Sequence, residues 1–296
     1  MENLKSTVLA SRASGMSENY LQAFNKWRTL ARDVLGTSEF PVRPIDCALY
    51  LQHLLELSKS IASINCAFYA FKWMHLLAGV DSPTLHPFVI AVKEAAVRLA
   101  TQPIVNKKEP LGAQHLKHLA AETNLEDLLQ LRNLVMFILA FLGFLTSSEI
   151  CVIRSRDVQF NEGYLTISIE KSKTDQLREG RSVVIAESSS ITCPCSLLRL
   201  YMHKAQIPEN SDEYLFRVIS ASGNRKRLVS INKPISYSTY RQSFKKSFVN
   251  IVPDISKFST HSARSGGANL AASSGVSERN LQRHGRWASV AAKNIC

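Results

Sequence analysis

The chain has 296 residues, 45% of them hydrophobic and 20% charged, and 36 Lys and Arg against 24 Asp and Glu give a formal net charge of +12. This length exceeds one typical domain and suits two, each able to bury its own core, in an ordinary soluble globular protein. The apolar run 134–145 falls short of the roughly twenty residues a membrane span needs, and residues 1–5 lack a basic-then-apolar signal, which sets membrane and secreted classes aside. From Ser17 onward Tyr20, Leu21, Phe24, Trp27, Leu30, Ala31 and Val34 recur at helical spacing behind a serine cap. Pro41 and Pro44 break the chain before a second helical run over 45–57. Ser60 opens a third, with Ile61, Ile64, Phe68, Phe71, Trp73 and Leu77, closed at Gly79. Pro83 and Pro87 precede a fourth over 89–99. Four short helices with Pro, Gly or polar joints predict a small all-α domain over 1–104.

Segment 101–112 changes character, with two prolines, the pair Lys107 and Lys108, and no helical period. It reads as a linker, placed at 105–111, before a second domain over 112–296. Helices are expected over 113–122 and 125–145. Alternation in 164–170 and β-branched residues in 181–186 predict two strands, joined by a polar turn over 171–180 that ends in glycine. Helices return over 196–204, 238–252, 263–272 and 278–284. The expected fold is therefore mainly α: a four-helix domain, then an α+β domain around a small antiparallel sheet.

Cys47, Cys66, Cys151, Cys193, Cys195 and Cys296 fall mostly within apolar patterns, as reduced buried thiols do. Cys193-Pro-Cys195 leaves one residue between ligands and has no second pair nearby, so no metal site is expected. The positive charge favours a polyanionic partner, because neutralising phosphates releases condensed counterions. Its cations are scattered along helices and do not form a tail, which suggests a folded binding surface.

His261 and Arg264 lie three residues apart on one face of a helical turn, so both can address the same anion. The string 261–275, ending in Gly275, is followed by a capped segment 276–287 that closes on His284, Gly285, Arg286 and Trp287. Helix, glycine stop, capped helix and basic-aromatic cluster, in this order, resemble the tyrosine recombinase (phage integrase) superfamily, in particular integrase-like proteins of eukaryotic mobile elements. The resemblance covers the helical first domain loosely and the chain from about residue 107 onward with ordered motifs.

The resemblance implies a SAM-like core-binding domain and a catalytic-core domain that clamp duplex DNA between them, with no metal or other cofactor and no small-molecule substrate. The family's chemistry uses two arginines, His or Trp donors, a hairpin lysine and a tyrosine nucleophile. Arg264 matches the second arginine and His261 the histidine before it. Trp287 matches the third-position donor, and Lys173 at the hairpin turn matches the lysine, with Lys171 as its alternate. Lys107, Lys108, Lys171, His284 and Arg286 are the expected DNA-backbone contacts. Two slots depart from the pattern. Glu149 and Asp157 are in place, but Thr146 holds the first arginine position, where a neutral hydroxyl replaces a bidentate charge. Cys296, nine positions after Trp287, holds the tyrosine position, and a thiol is shorter than a phenol by most of a ring. The chain ends there, which also reads as a truncated or frameshifted product. The expected function is a DNA-binding protein of this family, with recombination and integration by lineage and impaired catalysis. Two alternatives stand beside it: an active site-specific recombinase rescued by a partner or a longer C-terminus, and a non-enzymatic helical interaction module. A homo-oligomer on DNA and an intracellular, nuclear site complete the expectation, although Arg225-Lys-Arg227 is the sole suggestion of a localisation run.

Overall fold

The computed structural model describes residue 7 and residues 14–58, 60–100, 107–169, 181–222 and 225–287. The chain divides into two compact units, 1–105 and 106–296.

In the first unit the apolar spacing produces helices α1 (Ser14–Leu30), α2 (Pro44–Ser58), α3 (Ile61–Ala78) and α4 (Pro87–Leu99). Ser60 caps α3 by accepting from the Ser63 amide, and Gly79, at a φ of 67°, ends it. Trp27 sits at the centre, edge-on to Phe71 at 5.6 Å and Tyr50 at 5.5 Å, and its indole N–H donates to the Glu39 carbonyl. His75 is fully buried. Its Nδ1 donates to the Phe71 carbonyl at 2.8 Å and its Nε2 accepts from the Val42 amide at 3.0 Å, which is the neutral ring that burial favours.

The second unit is built on α6 (Leu128–Leu142), capped by Asp127, which accepts from the amides of Leu129 and Gln130. Around it lie α5 (Ala113–Glu122), the short α7 (Ser147–Cys151), α8 (Pro194–Ala205), α9 (Tyr237–Phe248), α10 (His261–Ser273) and α11 (Glu278–Gly285). Most side chains of α6 are buried, which explains why its sequence is apolar around most of its circumference. Phe137 at its centre meets Tyr240, Phe244 and Phe248 of α9.

Strands β1 (Val158–Asn161), β2 (Tyr164–Ile169) and β3 (Arg181–Ala186) form an antiparallel sheet in that order. In it Leu165 faces Ile185 and Ile167 faces Val183, all buried. A separate hairpin pairs β4 (Ile219–Ser222) with β5 (Arg225–Leu228). Strand β1 and this hairpin were not expected: β1 has four residues and only partial burial, and β5 carries cations where a strand signal calls for apolar residues.

The expected linker needs correcting in its second half. Lys108 Nζ donates to the Ser256 carbonyl at 2.7 Å. The Glu109 amide bonds to Lys257 and the Leu111 amide to Ser262, and Leu111 is buried in the second unit's core. Pro110 and the lack of period go with a strap held by long-range bonds, which no local pattern reveals. Among the described residues no helix is long and apolar enough to cross a membrane.

Candidate functional site

Leu142 ends α6 and the chain turns sharply through Gly143 and Phe144 before α7. Phe144 adopts a φ of 47°, a left-handed conformation uncommon for a bulky residue. Its ring is buried, edge-on to His284 at 4.6 Å and stacked on Trp287 at 6.1 Å. This packing holds the backbone strain in place.

Thr146 then caps α7. Its hydroxyl accepts from the Glu149 amide at 3.3 Å and donates to Glu149 Oε2 at 2.9 Å, while its own amide donates to the same oxygen at 2.7 Å. Thr146-Ser-Ser-Glu149 is thus a capping box, a signature present in the sequence that the assignment of Thr146 to an arginine slot left unused.

Glu149 Oε2 is the hub of the site. Besides Thr146 it accepts from Arg264 Nη1 at 3.4 Å and Arg286 Nη2 at 3.2 Å. Arg264 also donates through Nη2 to the Gly285 carbonyl at 2.9 Å, and its guanidinium lies 5.7 Å from the centre of the Trp287 ring. Burial lowers the Arg264 pKa, Glu149 opposes that shift and Arg286 adds to it; an arginine nonetheless stays cationic in water-accessible conditions. One turn before Arg264, His261 is exposed at the start of α10, its amide donating to Ser259 Oγ. Trp287 is half-buried.

The structure therefore brings Thr146 and Arg264 onto Glu149, with Trp287 beside Arg264 and His261 on the same face of α10 as Arg264. Arg154 and Arg156 lie elsewhere, engaged with Asp212 and, for Arg154, the Tyr214 hydroxyl at 2.8 Å. Lys107 is exposed, and Lys108 holds the Ser256 carbonyl. Lys171, Lys173 and Cys296 lie outside the described residues.

Arg286 and His284, expected as DNA-backbone contacts, bond carbonyls of the chain itself. Arg286, 2% exposed, turns its guanidinium inward onto the carbonyls of Gly143, Phe144 and His284. His284 donates from Nε2 to the Leu142 carbonyl at 2.7 Å. Arg286 closes α11 in a left-handed conformation, φ 56°, and basic residues beside a glycine carry no local sign of these inward bonds. A largely apolar cavity of about 580 Å³ adjoins the site, lined in part by Phe141, Val184, Leu270, Leu281 and His284, and includes neither His261 nor Arg264. Among the described residues no cluster of His, Cys, Asp and Glu could hold a metal ion.

Burial holds the His284 pKa below the ordinary imidazole value, the Leu142 bond opposes this and the Arg286 charge adds to it. Below about pH 6.5 the unfolded ring takes up a proton that the native ring resists. Stability supplied by neutral His284 is therefore complete above that pH and is lost as the pH falls. A Tm series from pH 7.5 downward should fall more steeply for the native chain than for His284→Gln; parallel curves would show that His284 contributes nothing to the acid limb.

The family model for the phage integrase family matches residues 111–295. An integrase/recombinase xerD homolog of Selenomonas ruminantium is 25% identical over 257 residues, 85% of this chain and 72% of the relative. In fold, the chain is similar to the XerH site-specific recombinase bound to its palindromic difH substrate, with a TM-score of 0.65, 14% identity, and coverage of 94% of this chain and 75% of that one. It is also similar to lambda integrase(75-356), a dimer bound to a COC' core site, with a TM-score of 0.57, 16% identity, and coverage of 99% and 93%.

Proposed function

The chain belongs to the phage integrase family, and on that premise we propose that it binds duplex DNA through the face bearing His261 and Arg264, with impaired strand-cleaving chemistry. The observation that carries this reading is the state of the Glu149 hub. Arg264 is held at two points and set against an aromatic ring, as a guanidinium must be to address phosphate oxygens without reorganising. Thr146 spends its hydroxyl on Glu149 and on the cap, which leaves the first arginine slot with no charge to offer a pentacoordinate phosphorus. Transition-state stabilisation should fall by several kcal/mol, since removing even one preorganised donor to a developing anion costs about 2.7–4 kcal/mol. Cys296 in the tyrosine slot removes the phenolic nucleophile the family uses. A homo-oligomer on DNA and an intracellular, nuclear location are parts of the same proposal.

The test combines a salt series with a covalent-capture assay. Duplex affinity should fall by about 10³ or more between 50 and 200 mM salt if on the order of six phosphates are neutralised, and a nicked suicide substrate should give no protein-DNA adduct. Arg264→Ala should weaken binding to a duplex with a fixed scissile phosphate more than binding to plain duplex. Equal losses on both would refute the assignment of Arg264, an adduct would refute the impairment, and no binding at low salt would favour an interaction module.

A further inference from the structure

Arg286 enters the site from the end of α11 and bonds the carbonyls of Gly143 and Phe144 at 3.3 and 3.2 Å, the carbonyl of His284 at 3.0 Å, and Glu149 Oε2 at 3.2 Å. It thereby ties the last described helix to the turn between α6 and α7. The Glu149 oxygen it shares also takes the Thr146 amide and hydroxyl. Thr146 Oγ1 and Arg286 Nη2 thus both bond the same oxygen, at 2.9 and 3.2 Å.

We propose that Arg286 is a positioning residue whose guanidinium takes up, from α11, the place beside Glu149 that an arginine at position 146 would otherwise fill, so that Thr146 and Arg286 form a compensating pair around Glu149. Charge is the first argument. Glu149 is 5% exposed and already faces two guanidinia, Arg264 and Arg286. A third from position 146 would leave buried positive charge without a counter-ion. Space is the second, since Thr146, Arg286 and Arg264 already crowd one buried oxygen of Glu149. Connection is the third. Arg286 holds the backbone of the 143–149 turn on one side and the Gly285 segment on the other, and Arg264 rests on Glu149 from that turn and on the Gly285 carbonyl. An arginine returned to position 146 alone is therefore no repair; it must be accompanied by release of Arg286.

The inference rests on the reading of Arg264 as the site's marker, but its test needs no DNA. Four full-length proteins would be melted at neutral pH: the native chain, Thr146→Arg, Arg286→Gln and the double variant. Glutamine keeps a flexible stem and the same left-handed backbone at 286 while removing the charge. Each single change should lower Tm by about 5 °C or more, and the double variant should return to within about 2 °C of the native chain, because the relocated guanidinium again meets Glu149. Duplex affinity at fixed salt should follow the same order, with the loss in Arg286→Gln regained in the double variant. Single variants that fail to fold beside a double variant that does would support the pairing in its strongest form. Additive losses, with the double variant least stable, or three variants that all fail to fold, would overturn it. Rescue of Tm in a protein that binds no duplex at any salt would support the pairing and overturn the DNA-binding proposal alone.

Discussion

Gly267→Ala is expected to destabilise the second unit by about 3 kcal/mol or more, lowering Tm by roughly 10 °C and removing DNA affinity with it. A methyl group at this position would lie 1.9 Å from the Phe141 carbonyl oxygen and 2.9 Å from the Phe144 ring. The first of these is backbone of the central helix α6, which is packed along nearly its whole length and cannot retreat. Accommodation therefore means pushing α10 away from α6, and α10 is the helix that carries His261 and Arg264. Gly266 makes an equally close approach, 2.0 Å, to the Leu111 carbonyl, so the helix cannot escape by rotating. Gly15, in α1, supplies the control: nothing lies within 4 Å of a methyl there, and Gly15→Ala should be neutral or stabilising by up to about 1 kcal/mol. Thermal melts that place Gly267→Ala within a degree or two of the native chain would mean that α6 and α10 are not so closely apposed.

Glu149→Ala should cost about 3–5 kcal/mol, the range for breaking a buried ion pair by removing one partner. The carboxylate balances Arg286, whose side chain is 2% exposed, and Arg264, at 14%, and it closes the capping box on Thr146. Its removal leaves two buried guanidinia facing each other and the Thr146 amide without its acceptor. Glu149→Gln should lose less, because an amide oxygen still accepts from Thr146 while the charge balance is gone. Urea unfolding of the three proteins at neutral pH measures the difference. If both variants lie within about 0.5 kcal/mol of the native chain, Glu149 is not the hub described here.

Much of the fold was legible because its determinants are local. Four apolar-periodic segments separated by Pro41, Pro44, Gly79, Pro83 and Pro87 became four helices, since spacing of 3.6 residues and residues that break helices act over a single turn. His261 and Arg264 were readable as a pair for the same reason, and their place in an ordered string pointed to the family. The elements missed were those with weak local signal: a four-residue strand at 158–161, the paired strands 219–222 and 225–228, and the extended strap ending at Leu111.

For the site, the amino-acid sequence by itself determined which groups are present: an arginine and a histidine one turn apart, a carboxylate at 149, a threonine where the family's arginine is expected, and a cysteine where its tyrosine is expected. Tertiary structure alone decided where the described groups among these point. Arg286 and His284 read as surface cations beside a glycine, yet they close on the carbonyls of Leu142, Gly143 and Phe144 and, through Arg286, on Glu149, 137 positions away. The direction of a side chain across that separation depends on a left-handed backbone at Arg286 and on the packing of α10 against α6, and both arise only when the whole unit has folded.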